Sequence, residues 1–238
     1  MPRDLFPGFL FPENFLILWA RGPKTQEIIM ENTNKEKKTG RSSLSNVRYI
    51  TVTGMLSAIA FILMFLDFSV PFMPGFIKMD ISELPAIIAS FMLGPLSGVL
   101  VCLVKNLIHL TMTTTGGVGE LCNFMLGALF VLPAGFIYKN KKNKKTAIIG
   151  ALVGAIVMGI GSVPSNYFIT YPFYYNFMPK EAIIAAYNAI LSAVSSYQLK
   201  SILPCLVIFN MPFTFLKGVL CSIICMLIYK PLSRVIKG

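Results

Sequence analysis

The chain has 238 residues, of which 55% are apolar and 13% charged, and it carries a net charge of +11. A soluble domain holds roughly 25% charged residues, so this chain lacks the charge to solvate an ordinary surface. A mean hydropathy of +0.70 and apolar blocks of about twenty residues, long enough to cross a bilayer, argue against a soluble enzyme, a disulfide-stapled secreted domain and a disordered regulator. They indicate an integral membrane protein.

Residues 1–46 read as an N-terminal extension, and residues 47–238 as one membrane domain. The apolar start is interrupted by Pro7, Pro12, Glu13 and Asn14, and its clean run, Phe15 to Ala20, is too short to span. It is a poor signal peptide, because Asp4 offsets Arg3 and no small-x-small site follows. The polar stretch Thr25 to Ser45 cannot bury a core. Either this extension is disordered or translation begins at Met30.

From Val47 the pattern predicts an all-α bundle of six transmembrane helices: Val47–Phe68, Ile81–Leu93, Pro95–Met112, Leu121–Tyr138, Ala147–Thr170 and Met211–Tyr229. The second is short and abuts the third at Gly94-Pro95, a helix break. Five basic residues lie between Lys35 and Arg48, five between Lys139 and Lys145, and three between Lys230 and Lys237. Each cluster flanks an apolar block, as cytoplasmic loops do, which puts both termini in the cytoplasm and argues against nucleic-acid binding. The five cysteines show no CxxC spacing and read as small buried hydrophobes.

On the outer side, the Ser69–Asp80 loop carries Phe72, Met73, Phe76 and Met79. The next loop reads TTTGGVGE from Thr113, either an anion-cradling nest or a plain turn. The third runs from about Tyr171 to Asn210 and contains a helical stretch, KEAIIAAYNAILSAV, that either forms a lid or rests at the interface.

Polar groups inside a bilayer are costly and are therefore functional candidates. Lys217 falls six residues after Met211, roughly 9 Å down its helix, with Thr214 on the same face. Asn166 lies four residues before the outer end of the fifth span. Glu120 and Asn123 open the fourth, and Lys105, Asn106 and His109 sit in the outer half of the third. The inner halves are almost free of ionisable groups, so a channel or proton relay, which needs polar groups through the full thickness, is disfavoured. The pattern describes a cup open to the outside and closed below. Each residue also has a plainer reading. Lys217 snorkels to the headgroups, Lys105 pairs with Glu120 or a helix C-terminus, and His109 is a helix-contact histidine. Gly54 and Ala58 form a small-xxx-small pair on the first span, either a packing seam in the bundle or a docking face for a partner.

Five stretches together resemble the substrate-binding S components of energy-coupling factor (ECF) transporters, most closely the riboflavin-specific ones. They are KMDISELPAIIASFMLGPLSGVLVCLVKNLIH from Lys78, GGVGELCNF from Gly116, YKNKKNKK from Tyr138, SNYF from Ser165 and PFTFLKG from Pro212. The resemblance covers about Arg48 to Lys237. It implies a multi-pass protein of a bacterial cell membrane with an outward-facing pocket for riboflavin, which is cargo rather than cofactor. It assigns Asn166 and Lys217 to the isoalloxazine ring, with Thr214 standing where riboflavin receptors usually have Asn. Met79 and the loop with Thr114 and Gly117, leading to Glu120 and Asn123, are expected to close over the ring. The partners it implies are a membrane scaffold (T) subunit with two cytoplasmic ATPases, docked at Gly54-xxx-Ala58 where the family has AxxxA. No GxxxxGK[ST] phosphate loop is present and no enzymatic activity is expected. The alternatives are an S component for another vitamin and an integral membrane enzyme. The second would need metal-binding or aspartate clusters that one histidine and a span-end Asp67 do not supply.

Overall fold

The computed structural model describes residues 46–71, 73–74, 77–113, 116–192 and 197–237, with side chains through residue 228. The chain divides into two compact units, Met1–Ile50 and Thr51–Gly238. Of the first, only residues 46–50 are described, the start of a helix. The expectations for the N-terminal extension, including a start at Met30, lie outside the described residues, as does Thr114.

The described chain is mostly helical. Five helices are long and apolar enough to cross a membrane: α1 Asn46–Met64, α3 Pro95–Met112, α4 Val118–Asn140, α5 Lys144–Tyr174 and α7 Ile202–Ile228, the last continuing to Lys237. Between α1 and α3 lies α2 Glu83–Leu93, and between α5 and α7 lies α6 Lys180–Leu191. Not every described element is helical. Phe68–Ser69 (β1) and Lys78–Met79 (β2) pair antiparallel, in the register Phe68↔Met79 and Ser69↔Lys78. An ion pair between Asp67 and Lys78 at 2.9 Å flanks them.

The α2 helix has 11 residues, about 16 Å at 1.5 Å each, roughly half the hydrocarbon thickness. Glu83 through Phe91 are all buried, so neighbouring helices cover it. It stops at Gly94, whose φ of +110° suits a residue without Cβ. Pro95 then opens α3 at a position where no N–H is needed. At the other end of the bundle, Asn143 caps α5 by accepting the Thr146 N–H at 2.8 Å, which explains why that helix begins inside a basic loop.

The core forms where small residues let backbones approach. Along α5, Ala147, Gly150, Ala151, Gly154, Ala155 and Met158 are buried at helical spacing. A Cβ on Gly150 would sit 2.7 Å from the Ala134 carbonyl oxygen of α4, and one on Gly218 of α7 would sit 2.8 Å from the Ala155 Cβ. So α5 packs closely on α4 along one side and on α7 along the other. A second apolar cluster joins Ile183 and Tyr187 of α6 to Tyr171, Ile202 and Leu206. It fixes α6 against the end of α5 and the start of α7.

Helix α1 ends at Met64, four residues before the predicted Phe68, which pairs in β1 instead, and two further helices differ from their predicted bounds for one shared reason. Both α5 and α7 contain a π-helical turn, Asn166–Thr170 and Leu206–Asn210. Each turn ends two residues before a proline, Pro172 or Pro212. Proline lacks an N–H and its ring collides with the carbonyl four residues back, and a widened turn relieves that collision while the helix continues. The α7 helix thus starts at Ile202, nine residues before the predicted start, and α5 runs on to Tyr174.

Candidate functional site

A cavity of about 260 Å³ opens among α4, α5, α7 and the segment leading into α2. Each helix contributes one face. From α4 come Gly119, Cys122, Asn123 and Leu126, and from α7 come Asn210, Phe213, Thr214 and Lys217, both sets at i, i+3, i+4, i+7 spacing. From α5 come Met158, Asn166, Thr170, Tyr171 and Tyr174, and Ile77, Lys78 and Asp80 complete the wall. These residues occupy the first half of α4 and, from Met158 onward, the part of α5 from its middle to its end. The cavity therefore lies at the end of the bundle away from the basic Lys139–Lys145 loop.

Asn123, Asn166, Thr214 and Lys217 are brought together here. Lys217 stands fifteen residues, about 22 Å, along a helix that begins at Ile202 rather than the 9 Å expected. It does not snorkel. The side chain is buried, and its ammonium donates to Asp80 Oδ2 at 2.9 Å and contacts Glu83 Oε2 at 3.1 Å. Glu83 is shared, because its Oε1 meets Lys105 Nζ at 3.1 Å, with both side chains fully buried. Lys105 also donates to Ser82 Oγ at 2.6 Å. The result is a row of alternating charge, Lys105–Glu83–Lys217–Asp80, with no net charge. Burial opposes ionisation of Asp80, but the charges of Lys217 and then Lys105, with hydrogen bonds from Ser82 and Lys217, outweigh it. They hold its carboxyl well below the usual carboxylate range.

Lys105 was expected to pair with Glu120 or a helix end, and it pairs with Glu83. Glu120 instead meets His109 Nδ1 at 2.8 Å and accepts from Thr113 Oγ1 at 2.9 Å. It lines a smaller cavity of about 120 Å³ together with Gly117 and Asn106. Gly117 takes the left-handed conformation at φ +89° as the residue before α4, and its N–H donates to Thr113 Oγ1. That geometry is a turn into a helix. Met79 does not line the larger cavity either, although Lys78 and Asp80 do, because successive residues of an extended segment face opposite ways.

The cavity's other polar groups are partly committed. Asn166 Nδ2 donates to the Ser162 carbonyl at 2.7 Å, which leaves its Oδ1 and one N–H for other partners. Asn123 donates to Asn106, whose own amide is tied to the Cys102 carbonyl. Asn210 accepts from the Tyr187 hydroxyl at 2.6 Å, and Tyr187 also bonds the Tyr171 hydroxyl. Through Tyr187, α6 braces the cavity wall, though none of its own residues lines the cavity.

Asp80, Glu83, Thr170, Tyr174 and Asn210 went unread in the sequence. Extending the helical face of Lys217 backward reaches Asn210, and extending that of Asn166 forward reaches Thr170 and Tyr174. The carboxylates had a signal as well. Two lysines buried in a bundle need partners, and beyond residue 46 the chain offers only Asp67, Asp80, Glu83, Glu120 and Glu181.

On α1, nothing lies within 4 Å of a Cβ placed on Gly54, and Ala58 is exposed. This pair is no seam within the described bundle. Helix α1 is 17% buried, against 33% to 44% for the other four long helices.

A model of the family described as "ECF transporter, substrate-specific component" matches residues 48–229. The riboflavin transporter RibU of Staphylococcus aureus is 37% identical over 201 residues, covering 83% of this chain and 98% of that protein. The riboflavin transporter FmnP of Bacillus subtilis is 34% identical over 186 residues, covering 77% and 90%. A solved structure of the S component of a bacterial ECF transporter aligns with a TM-score of 0.61 at 34% identity, over 80% of this chain and 98% of that one.

Proposed function

Because the chain belongs to the substrate-specific components of ECF transporters, a family of transport subunits rather than enzymes, we propose that it captures riboflavin outside a bacterial cell and delivers it for ATP-driven uptake. The observation that carries this reading is the single cavity shared by Asn166, Thr214 and Lys217. The polar edge of a flavin ring presents two carbonyls and one N–H. Lys217 has three N–H donors, two of them engaged by carboxylates, so one is left for a carbonyl. Asn166 offers Oδ1 to the ring N–H and an N–H to the other carbonyl. Thr214 adds a hydroxyl, and Phe213, Met158 and Leu126 supply the apolar surface such a ring needs. A cavity of 260 Å³ is at the small end for ligand pockets, roughly 300–1,000 Å³.

In this reading α2 acts as a sixth, short span, both termini are cytoplasmic, and the cup faces outward. Its position at the end away from the Lys139–Lys145 loop supports that orientation under the positive-inside rule. A scaffold subunit bearing two ATPases docks on the open Gly54–Ala58 face of α1. Thr214 favours one other reading, a receptor for a different vitamin, since it replaces an amide with a hydroxyl.

The test is the absorbance spectrum of the protein purified from riboflavin-replete cells. Copurified flavin is expected in the wild-type chain and in Lys139→Gln, and is lost from Asn166→Leu. A colourless wild-type protein that binds another vitamin would overturn the flavin assignment and leave the receptor role.

A further inference from the structure

Thr170 lines the cavity and is 6% exposed. Its Oγ1 is a buried oxygen with no hydrogen-bond partner among the described residues. Buried hydroxyls are normally satisfied. A helical threonine commonly returns its hydroxyl to the carbonyl four residues back, here that of Asn166. In the π turn that carbonyl already accepts the Tyr171 N–H, and Thr170 makes no bond to it. Its one polar contact among the described residues is with the Cys122 thiol, a weak hydrogen-bonding group. The hydroxyl is thus held at the cavity wall with no partner stronger than that thiol.

Chain direction says what would meet it. Along α5 the polar lining runs Asn166, Thr170, Tyr174 toward the helix end, and along α7 it runs Lys217, Thr214, Asn210 toward the helix start. Both series lead from the bundle interior to the same end. If Asn166, Thr214 and Lys217 hold the polar edge of the ring, the next turn faces the group the ring carries, a polyhydroxylated chain. We propose that Thr170 is a specificity residue whose hydroxyl bonds the polyol chain of a flavin rather than its ring. This inference rests on the flavin reading above.

The test compares riboflavin with lumiflavin, which has the same ring and a methyl group in place of the polyol, on the purified full chain. Thr170→Val should weaken riboflavin about 5-fold to 10-fold, the range for one deleted hydrogen bond, and leave lumiflavin within about 2-fold. Thr170→Ser should restore riboflavin affinity. The ligand-free melting temperature of Thr170→Val should be no lower than wild type, since valine removes an unsatisfied polar group. Equal losses for the two flavins, no loss for either, or a destabilised ligand-free valine variant would overturn the proposal. A wild-type chain that binds neither flavin refutes the flavin reading itself and takes this inference with it. A wild-type chain that binds riboflavin no better than its valine variant removes Thr170 alone.

Discussion

Lys217 reaches the cavity with its charge already matched, and that shapes what any substitution there can reveal. Asp80 and Glu83 both contact its ammonium, and Lys105 holds the far oxygen of Glu83. Removing one member of a buried ionic cluster leaves an uncompensated charge, which costs about 3–5 kcal/mol. Lys105 lines neither cavity and should act through stability alone. Lys105→Met is expected to lower the melting temperature in detergent strongly. Lys105→Met combined with Glu83→Gln should recover most of it, because the remaining Lys217–Asp80 pair is neutral again. No recovery in the double variant would show that the row does not act as a unit. Asn123, Asn166, Thr214 and Lys217 were legible as residues because a bilayer makes every polar group conspicuous. Asp80 and Glu83 were not, because one sits just before an apolar helix and the other in its first turn, where acids are ordinary. The resemblance joins Gly117, Glu120 and Met79 to the ligand, and in the structure none of the three lines the larger cavity.

At the scale of elements, apolar length and the Gly94-Pro95 break located the helices, but the ends of α5 and α7 were misplaced for a common reason. A π turn ahead of Pro172 and of Pro212 lets each helix continue past a proline, and apolar length alone carries no sign of such a turn. Those turns bring Asn166, Thr170 and Asn210 to the cavity wall. Small residues likewise have two uses that spacing alone does not separate. Gly150 faces the Ala134 carbonyl, while Gly54 faces nothing within 4 Å. Gly150→Leu should therefore destabilise the fold by about 1–3 kcal/mol or more through overpacking. Leucine at both Gly54 and Ala58 should leave melting and riboflavin binding unchanged and abolish uptake in cells. Normal uptake by that double variant would remove α1 as the docking face.

Over the whole molecule, the buried ionisable and amide side chains of the described spans gather at one end and the basic Lys139–Lys145 loop lies at the other. That gradient was visible in the sequence as inner halves of the predicted spans almost free of ionisable groups, and it becomes a cavity because α4, α5 and α7 each turn one helical face to a common space. The segment around α6 was open to two readings, a lid or an interfacial helix. It packs as a brace instead, with Tyr187 bonded to Asn210 and Tyr171, a role that depends on contacts between segments far apart in sequence. The most direct measurement is equilibrium binding of radiolabelled riboflavin to the purified chain, with unlabelled vitamins as competitors. Saturable binding displaced by riboflavin alone, and lost in Asn166→Leu but kept in Lys139→Gln, is the expected result. Binding that survives Asn166→Leu undiminished would contradict the assignment of this cavity.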